Sequence, residues 1–208
     1  MGSSFILASA SPRRRDLLAA LGFDFQCEIS RVEEEREKGE PPPAFAERLA
    51  KDKAAAVFAR RTSDLPVLAA DTVVFLGDRV LDKPANEAEA ASTLAALSGR
   101  THEVVTGVAI RDNRQERSCA VVTSVRFRAL SAPEIDWYVA TGEPMDKAGA
   151  YAIQGLGSFL IDTIDGSPSN VVGLPLSESI EMLEAAGVIP PWRLRAERLG
   201  SAPWRDER

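Results

Sequence analysis

Histidine is nearly absent from this sequence: among 208 residues there is one, His102. That rules out histidine-rich zinc sites and leaves any Ser-His-Asp triad dependent on a single residue. Cysteine is almost as scarce. Cys27 and Cys119 are far apart and lie in strand-like stretches, which suits a reduced cytoplasmic protein better than a disulfide scaffold. No apolar run reaches the ~18 residues of a membrane span, and the first arginines follow the apolar residues, the reverse of a secretory signal. Long basic runs are missing too. The 25 Lys and Arg are outnumbered by 31 Asp and Glu, for a formal charge of -6, which argues against a nucleic-acid polymer as partner. A small anion held in a local basic pocket stays compatible with such a surface.

What the chain does have is enough apolar material, 45% of its residues, for one sizeable domain. We read residues 1–190 as that domain and 191–208 as a polar tail. The opening stretch organises the rest. Phe5-Ile6-Leu7-Ala8 suits a buried strand, and Leu17, Leu18 and Leu21 recur at helical spacing before Gly22. Between them stand Ser9-Ala10-Ser11-Pro12-Arg13-Arg14-Arg15. Ser11 suits an N-cap, and Pro12 suits the first helical position, whose N–H would go unpaired anyway. Arginines in a first turn face the positive end of the helix dipole and so demand a negative partner. Backbone amides, the hydroxyls of Ser9 and Ser11 and the Arg13 guanidinium at a helix start suit a phosphate. A solvated basic turn is the plainer reading.

Further along, residues 23–29 alternate as a strand, and an acidic loop over 30–43 carries Val32-Glu33-Glu34-Glu35. A helix is predicted over 44–61. Phe45, Leu49, Lys53 and Val57 follow at four-residue steps, so Lys53 falls in the apolar stripe. It either snorkels to solvent or points its ammonium into a pocket. The next strand, residues 67–76, is apolar except for Asp71 and Thr72. A buried carboxylate is costly unless paired, hydrogen-bonded or metal-bound, which makes Asp71 the strongest single-residue signal of function. Gly77-Asp78 turns the chain back and brings Asp82-Lys83-Pro84 to the mouth of the same sheet. A helix from Asn86 to Gly99, a hairpin of strands 102–111 and 118–129, and a short helix from Ser131 lead to a Gly-rich segment over 142–158. Loops of that length commonly bind ligands. A strand over 159–164 and a last helix over 176–186 follow.

Taken together these segments resemble the Maf family of nucleoside triphosphate pyrophosphatases. The matching pieces are Leu7-Ala8-Ser9-Ala10-Ser11-Pro12-Arg13-Arg14, Val32-Glu33-Glu34, Leu49-Ala50-Lys51-Asp52-Lys53-Ala54, Ala70-Asp71-Thr72-Val73-Val74, Asp82-Lys83-Pro84, Leu97-Ser98-Gly99-Arg100-Thr101-His102, the run from Asp146 through Gln154 to Gly155, and Val171-Val172-Gly173-Leu174-Pro175-Leu176. They stand in family order up to about Gly187. The resemblance implies an α/β fold, an elongated mixed β-sheet flanked by helices, with two lobes around a cleft as in inosine-triphosphate pyrophosphatases. It implies hydrolysis of a nucleoside triphosphate to the monophosphate and pyrophosphate with a divalent cation, Mg²⁺ or Mn²⁺, in a protein that is frequently a homodimer. The Ser-Pro-Arg-Arg start, Asp-Thr and Ile-Gln-Gly look like the branch acting on dTTP and UTP, with modified pyrimidine triphosphates as implied further substrates. Arg13, Thr72 and Gln154 occupy the positions associated with that preference.

The same resemblance makes Asp71 the proton acceptor. With it, Lys53 and Lys83 add positive charge, and Glu34 and Asp71 are the candidate oxygen ligands of the metal. The family often has Asp-Glu where this chain has Glu33-Glu34, so the ligand lies between neighbours, and Pro168 in Ser167-Pro168-Ser169-Asn170 departs from the pattern. The alternatives are a 7-methyl-GTP pyrophosphatase and a nucleotide-binding regulator of septum formation that does not hydrolyse its ligand. A serine hydrolase built on Ser9 or Ser11 with His102 lacks a nucleophile elbow. His102 is expected to hold loop backbone in place and do no chemistry.

Overall fold

The structure, a computed structural model, describes residues 4–194. Its centre is one mixed sheet in the order β2-β1-β3-β5-β6-β7. The strands are β1 (Phe5–Leu7), β2 (Phe25–Cys27), β3 (Val67–Leu76), β5 (Thr101–Arg111), β6 (Glu116–Phe127) and β7 (Ile161–Asp165), with β4 (Arg79–Val80) folded back on the end of β3. β1 runs parallel to β2 and β3, whereas β3, β5, β6 and β7 pair antiparallel. The long antiparallel hairpin is what the alternating apolar runs predict, and its turn closes on Asp112, whose carboxylate accepts the amides of Arg114 and Gln115.

The register of β1 makes the cleft. Ile6 pairs with Val67 and Leu7 with Leu68, after which the chain leaves the sheet while β3 continues. Among the described residues, β3 from Ala70 to Val73 has no strand neighbour on that side until the returning chain pairs at Val74 and Phe75. Parallel sheets bind ligands at such an opening beyond a strand's carboxyl end.

Helices pack on both faces. α1 (Pro12–Ala20) and α6 (Leu176–Ala185) cover one face, burying Leu18 and Leu183 with Phe5, Leu7, Leu68 and Ala70. α2 (Pro42–Arg60) covers the other, where Phe45 and Leu49 meet Val73 and Phe75. α3 (Glu87–Leu97) and α4 (Ala132–Ala140) build a second core with Val104, Val125, Phe127 and Tyr138. Strands β3 and β5 run through both cores, which gives the two lobes.

Two local features seat helices against the sheet. α2 crosses β5 at Gly107, where any Cβ would lie 2.1 Å from the Ala46 carbonyl oxygen, so glycine lets the helix seat against the sheet. α5 (Pro168–Val172) is a helix that sequence patterning missed. Pro168 stands at its first turn, with the Ser167 hydroxyl capping Asn170, so the departure at that proline is a helix start. Asn170, fully buried, donates to Val104 O and the Thr123 hydroxyl. Beyond α6, residues 191–194 make a helical turn whose Trp192 packs edge-on against Phe23; the rest of the stretch read as a tail lies outside the described residues.

Candidate active site

Strand periodicity divides the work at the opening in β3. Successive side chains point to opposite faces. Asp71 therefore joins Val73 and Phe75 on the α2 face, and Thr72 turns toward α1 and α5. On the α2 face, Lys53 lies one helical turn beyond buried Leu49. Its Nζ donates to Asp71 Oδ1 at 2.5 Å and to Glu34 Oε1 at 2.5 Å. The Lys53 and Asp71 side chains are 9% and 6% exposed, so Lys53 is not a snorkelling residue: its charge is held inside by a buried partner. Glu34, reached from the loop before α2, is 56% exposed. It, and not Glu33, is the acid that meets Lys53.

On the other face Arg14 is the hub. Its Nε donates to Gly173 O at 2.6 Å, Nη2 to the Thr72 hydroxyl at 2.9 Å and Nη1 to the Ser9 hydroxyl at 3.3 Å. Burial lowers its pKa, against the charges of Asp71 and Glu34, which favour the cation. Ser9 also accepts the amide of Ser11 at 3.1 Å. Ser11 does hold the N-cap position of α1, but its own side chain makes no cap bond. The hydroxyl that satisfies the helix start is that of Ser9, two residues earlier.

Ser9, Ser11, Arg13, Glu34, Lys53, Asp71, Thr72, Lys83 and Gln154 all line one cavity of about 470 Å³, a volume suited to a nucleotide-sized ligand. Six basic and three acidic side chains line it, in a chain whose overall charge is -6. A concave, basic hollow with a helix N-terminus in its wall attracts phosphate even on an acidic protein. Arg13 reaches across the mouth to Asp146 Oδ2 at 3.3 Å, so α1 is tied to the Gly-rich segment of the second lobe. Lys147 also pairs with Asp146. Gln154 stands exposed at the rim.

Sequence reasoning left Arg14, Asp146 and Lys147 without a role. Arg14 was visible as one of three arginines in a first turn, but only the fold separates it from Arg13. His102 also differs from expectation. It shares a 2.8 Å hydrogen bond with the Tyr151 hydroxyl and holds a side chain, not loop backbone. Burial pushes its pKa down to about 4, and its buried Nδ1 has no partner among the described residues. Neither ring nitrogen reaches Ser9 or Ser11, so no serine triad forms.

Glu34 and Asp71 are the side chains here that could hold a hard divalent cation. Glu34 and Asp71 converge on one ammonium, so two carboxylates already face a single positive charge. Among the described residues no group of three or more His, Cys, Asp or Glu is placed to hold a metal. Two carboxylates alone would make an open site, in which Mg²⁺ keeps several waters, and not a closed cage.

A family profile described as Maf-like protein matches residues 4–186. This chain belongs to the Maf family. A dTTP/UTP pyrophosphatase of Myxococcus xanthus is 52% identical over 188 residues, covering 90% of this chain and 95% of that protein. A dTTP/UTP pyrophosphatase of Escherichia coli O157:H7 is 50% identical over 181 residues, 87% of this chain and 92% of its own. Among solved structures, the Staphylococcus aureus Ham1 protein aligns with a TM-score of 0.48 at 15% identity, over 87% of this chain and 96% of that one. A nucleoside-triphosphatase, dITP/XTP pyrophosphatase, of Mycobacterium abscessus aligns with a TM-score of 0.46 at 16% identity, covering 88% and 97%. Every motif that carried the resemblance, from Leu7 to Leu176, lies within the Maf match.

Proposed function

We propose that this Maf protein hydrolyses dTTP and UTP, and modified pyrimidine triphosphates, to the nucleoside monophosphate and pyrophosphate. The observation that carries the reading is the shared cavity: a buried carboxylate, Asp71, meets Lys53 in the same basic hollow that holds the start of α1. The names of relatives about half identical over nearly their full length support the substrate pair.

In this reading the phosphate chain lies against the α1 amides, Ser9, Ser11 and Arg13, with Lys53 and Lys83 offsetting its remaining charge. Asp71 accepts a proton from the attacking water as the water oxygen bonds to the α-phosphorus. The bond from that phosphorus to the bridging oxygen breaks, and pyrophosphate leaves with the electron pair. Glu34 and Asp71 would hold the Mg²⁺ or Mn²⁺, which when bound neutralises charge on the phosphate oxygens. Thr72, through Arg14, keeps the wall beneath the nucleotide in register. Gln154 carries both a donor and an acceptor and pairs with the edge of the pyrimidine, so a base with the opposite pattern leaves it unsatisfied.

The test is pyrophosphate release from a panel of triphosphates with Mg²⁺. dTTP and UTP should lead. Recovery of intact triphosphate after long incubation would refute hydrolysis, and preference for 7-methyl-GTP would refute the substrate class. Asp71→Asn should lower kcat by roughly 10²–10⁴-fold, the usual contribution of a positioned base; near-normal turnover would overturn its role. We extend the proposal to a cytoplasmic homodimer. Unpaired Cys27 and Cys119 support a reducing compartment, and the outer edge of β6 over residues 116–123, beyond its pairing with β7, offers a second copy a strand to extend. Light scattering at twice the chain mass is the expected result.

A further inference from the structure

Gln154 has no hydrogen-bond partner within the chain among the described residues, so its direction comes from the backbone that carries it. That backbone, residues 152–155, has neither strand nor helix. What fixes it is a single carboxylate from another segment. Glu143, just after α4, accepts the Gly157 amide on Oε1 at 2.9 Å and the Leu156 amide on Oε2 at 3.1 Å. Its Oε1 also accepts the hydroxyl of buried Tyr138 at 2.8 Å, and that hydroxyl accepts the amide of Ala152 at 3.2 Å. The carboxylate and phenol thus grip the loop on both sides of Gln154.

The backbone is shaped around this grip. Gly155 sits at φ 84 and ψ -146, a region essentially reserved for glycine. A Cβ there would come within 2.8 Å of Glu143 Oε2, so the loop closes on the carboxylate as a nest of amides closes on an anion. Although burial opposes ionisation, the Gly157 amide, the Tyr138 hydroxyl and the Leu156 amide hold the Glu143 carboxyl below its ordinary range. The grip also reaches toward the phosphate end of the cavity. The Glu143 carbonyl oxygen accepts Lys147 Nζ at 2.8 Å, and Lys147 pairs with Asp146, the partner of Arg13.

We propose that Glu143, with Tyr138, is a positioning residue for base selection: it presets the 152–157 loop so that the Gln154 amide meets the pyrimidine in one orientation. The inference rests on the reading of Gln154 as the group that contacts the base. A floppy loop would leave Gln154 able to swing, and a swinging amide satisfies the wrong base as readily as the right one.

The experiment compares kcat/KM for dTTP and dCTP, which differ in donor and acceptor pattern on one pyrimidine edge, across wild type, Glu143→Ala, Glu143→Gln, Tyr138→Phe and Gln154→Ala. Glu143→Ala should raise KM for dTTP about tenfold, by more than kcat falls, and cut the preference for dTTP over dCTP by a similar factor. Glu143→Gln keeps one accepting oxygen and should retain part of the preference. Tyr138→Phe removes one hydroxyl from an otherwise intact core and should shift the preference in the same direction, which keeps the test decisive if Glu143→Ala does not fold. If Gln154→Ala abolishes the preference while all three Glu143 and Tyr138 variants keep it, the positioning role is overturned and the Gln154 reading stands. If Gln154→Ala itself keeps the preference, the base-contact reading falls and takes this inference with it.

Discussion

Replacing Lys53 with methionine probes the buried charge pair on which the cavity is built. The substitution keeps most of the stem's volume and removes the ammonium that Asp71 and Glu34 share. Breaking a buried pair from one side costs about 3–5 kcal/mol, because the carboxylate left behind stays in low dielectric without its partner. Two features set the expectation near the bottom of that range. Glu34 is mostly solvated, so its loss of a partner adds little. Arg14 lies close enough to feel the Asp71 charge and still offers the stranded carboxylate a cation. We therefore expect Lys53→Met to destabilise by about 3 kcal/mol, a fall in Tm of roughly 6–12 °C for a domain of this size. The double variant Lys53→Met with Asp71→Asn removes both charges and should recover most of that loss, while turning over no more substrate than either single variant. Urea and thermal unfolding at neutral pH measure the first claim, and pyrophosphate release the second. A single variant within about 1 kcal/mol of wild type, well under the cost of stranding a buried charge, would refute the reasoning. So would a double variant no more stable than the single.

Other outcomes follow from other parts of the fold. Gly107→Ala forces a methyl into the Ala46 carbonyl and should cost about 3 kcal/mol, at the upper end for overpacking, since backbone and not a flexible side chain must yield; chemical denaturation checks it. His102 stays neutral in the fold because burial holds its pKa down to about 4, against an ordinary 6.5. The unfolded chain therefore binds the proton first, and stability present above about pH 6.5 is lost as pH falls toward 4, by up to roughly 3 kcal/mol from this residue. The slope of stability against pH in that window should flatten in His102→Gln. On the proposal that Glu34 holds the metal, Glu34→Gln should raise the Mg²⁺ concentration needed for half-maximal activity about tenfold, with little change in Tm because the side chain is exposed; a metal titration reads it.

Much of this protein was legible before folding. The strand, turn and helix at residues 5–21, the four-residue steps that place Lys53 in an apolar stripe, and a carboxylate inside a buried strand are local patterns, and local periodicity survives into the structure because each face must meet a core. α5 was missed because five residues show too little periodicity, and its anchor, Asn170, is recognisable only by partners 47 and 66 positions away. Ser11 holds the N-cap position as its residue type suggests, but the hydroxyl that accepts its amide is that of Ser9, a contact that depends on how the chain leaves the sheet after Leu7.

Residue identity and periodicity alone showed which charged side chains would need company: Asp71 and Lys53 within apolar stretches, and the arginines in the first turn of α1. They could not say who that company would be. Only in the fold does Lys53 face Asp71 and Glu34 on one side of β3 while Arg14 faces Thr72, Ser9 and Gly173 on the other. The physical reason is that a dihedral preference acts over a few residues, whereas a Coulombic or hydrogen-bonded partner is chosen by sheet register and helix packing, which bring together groups far apart in the chain.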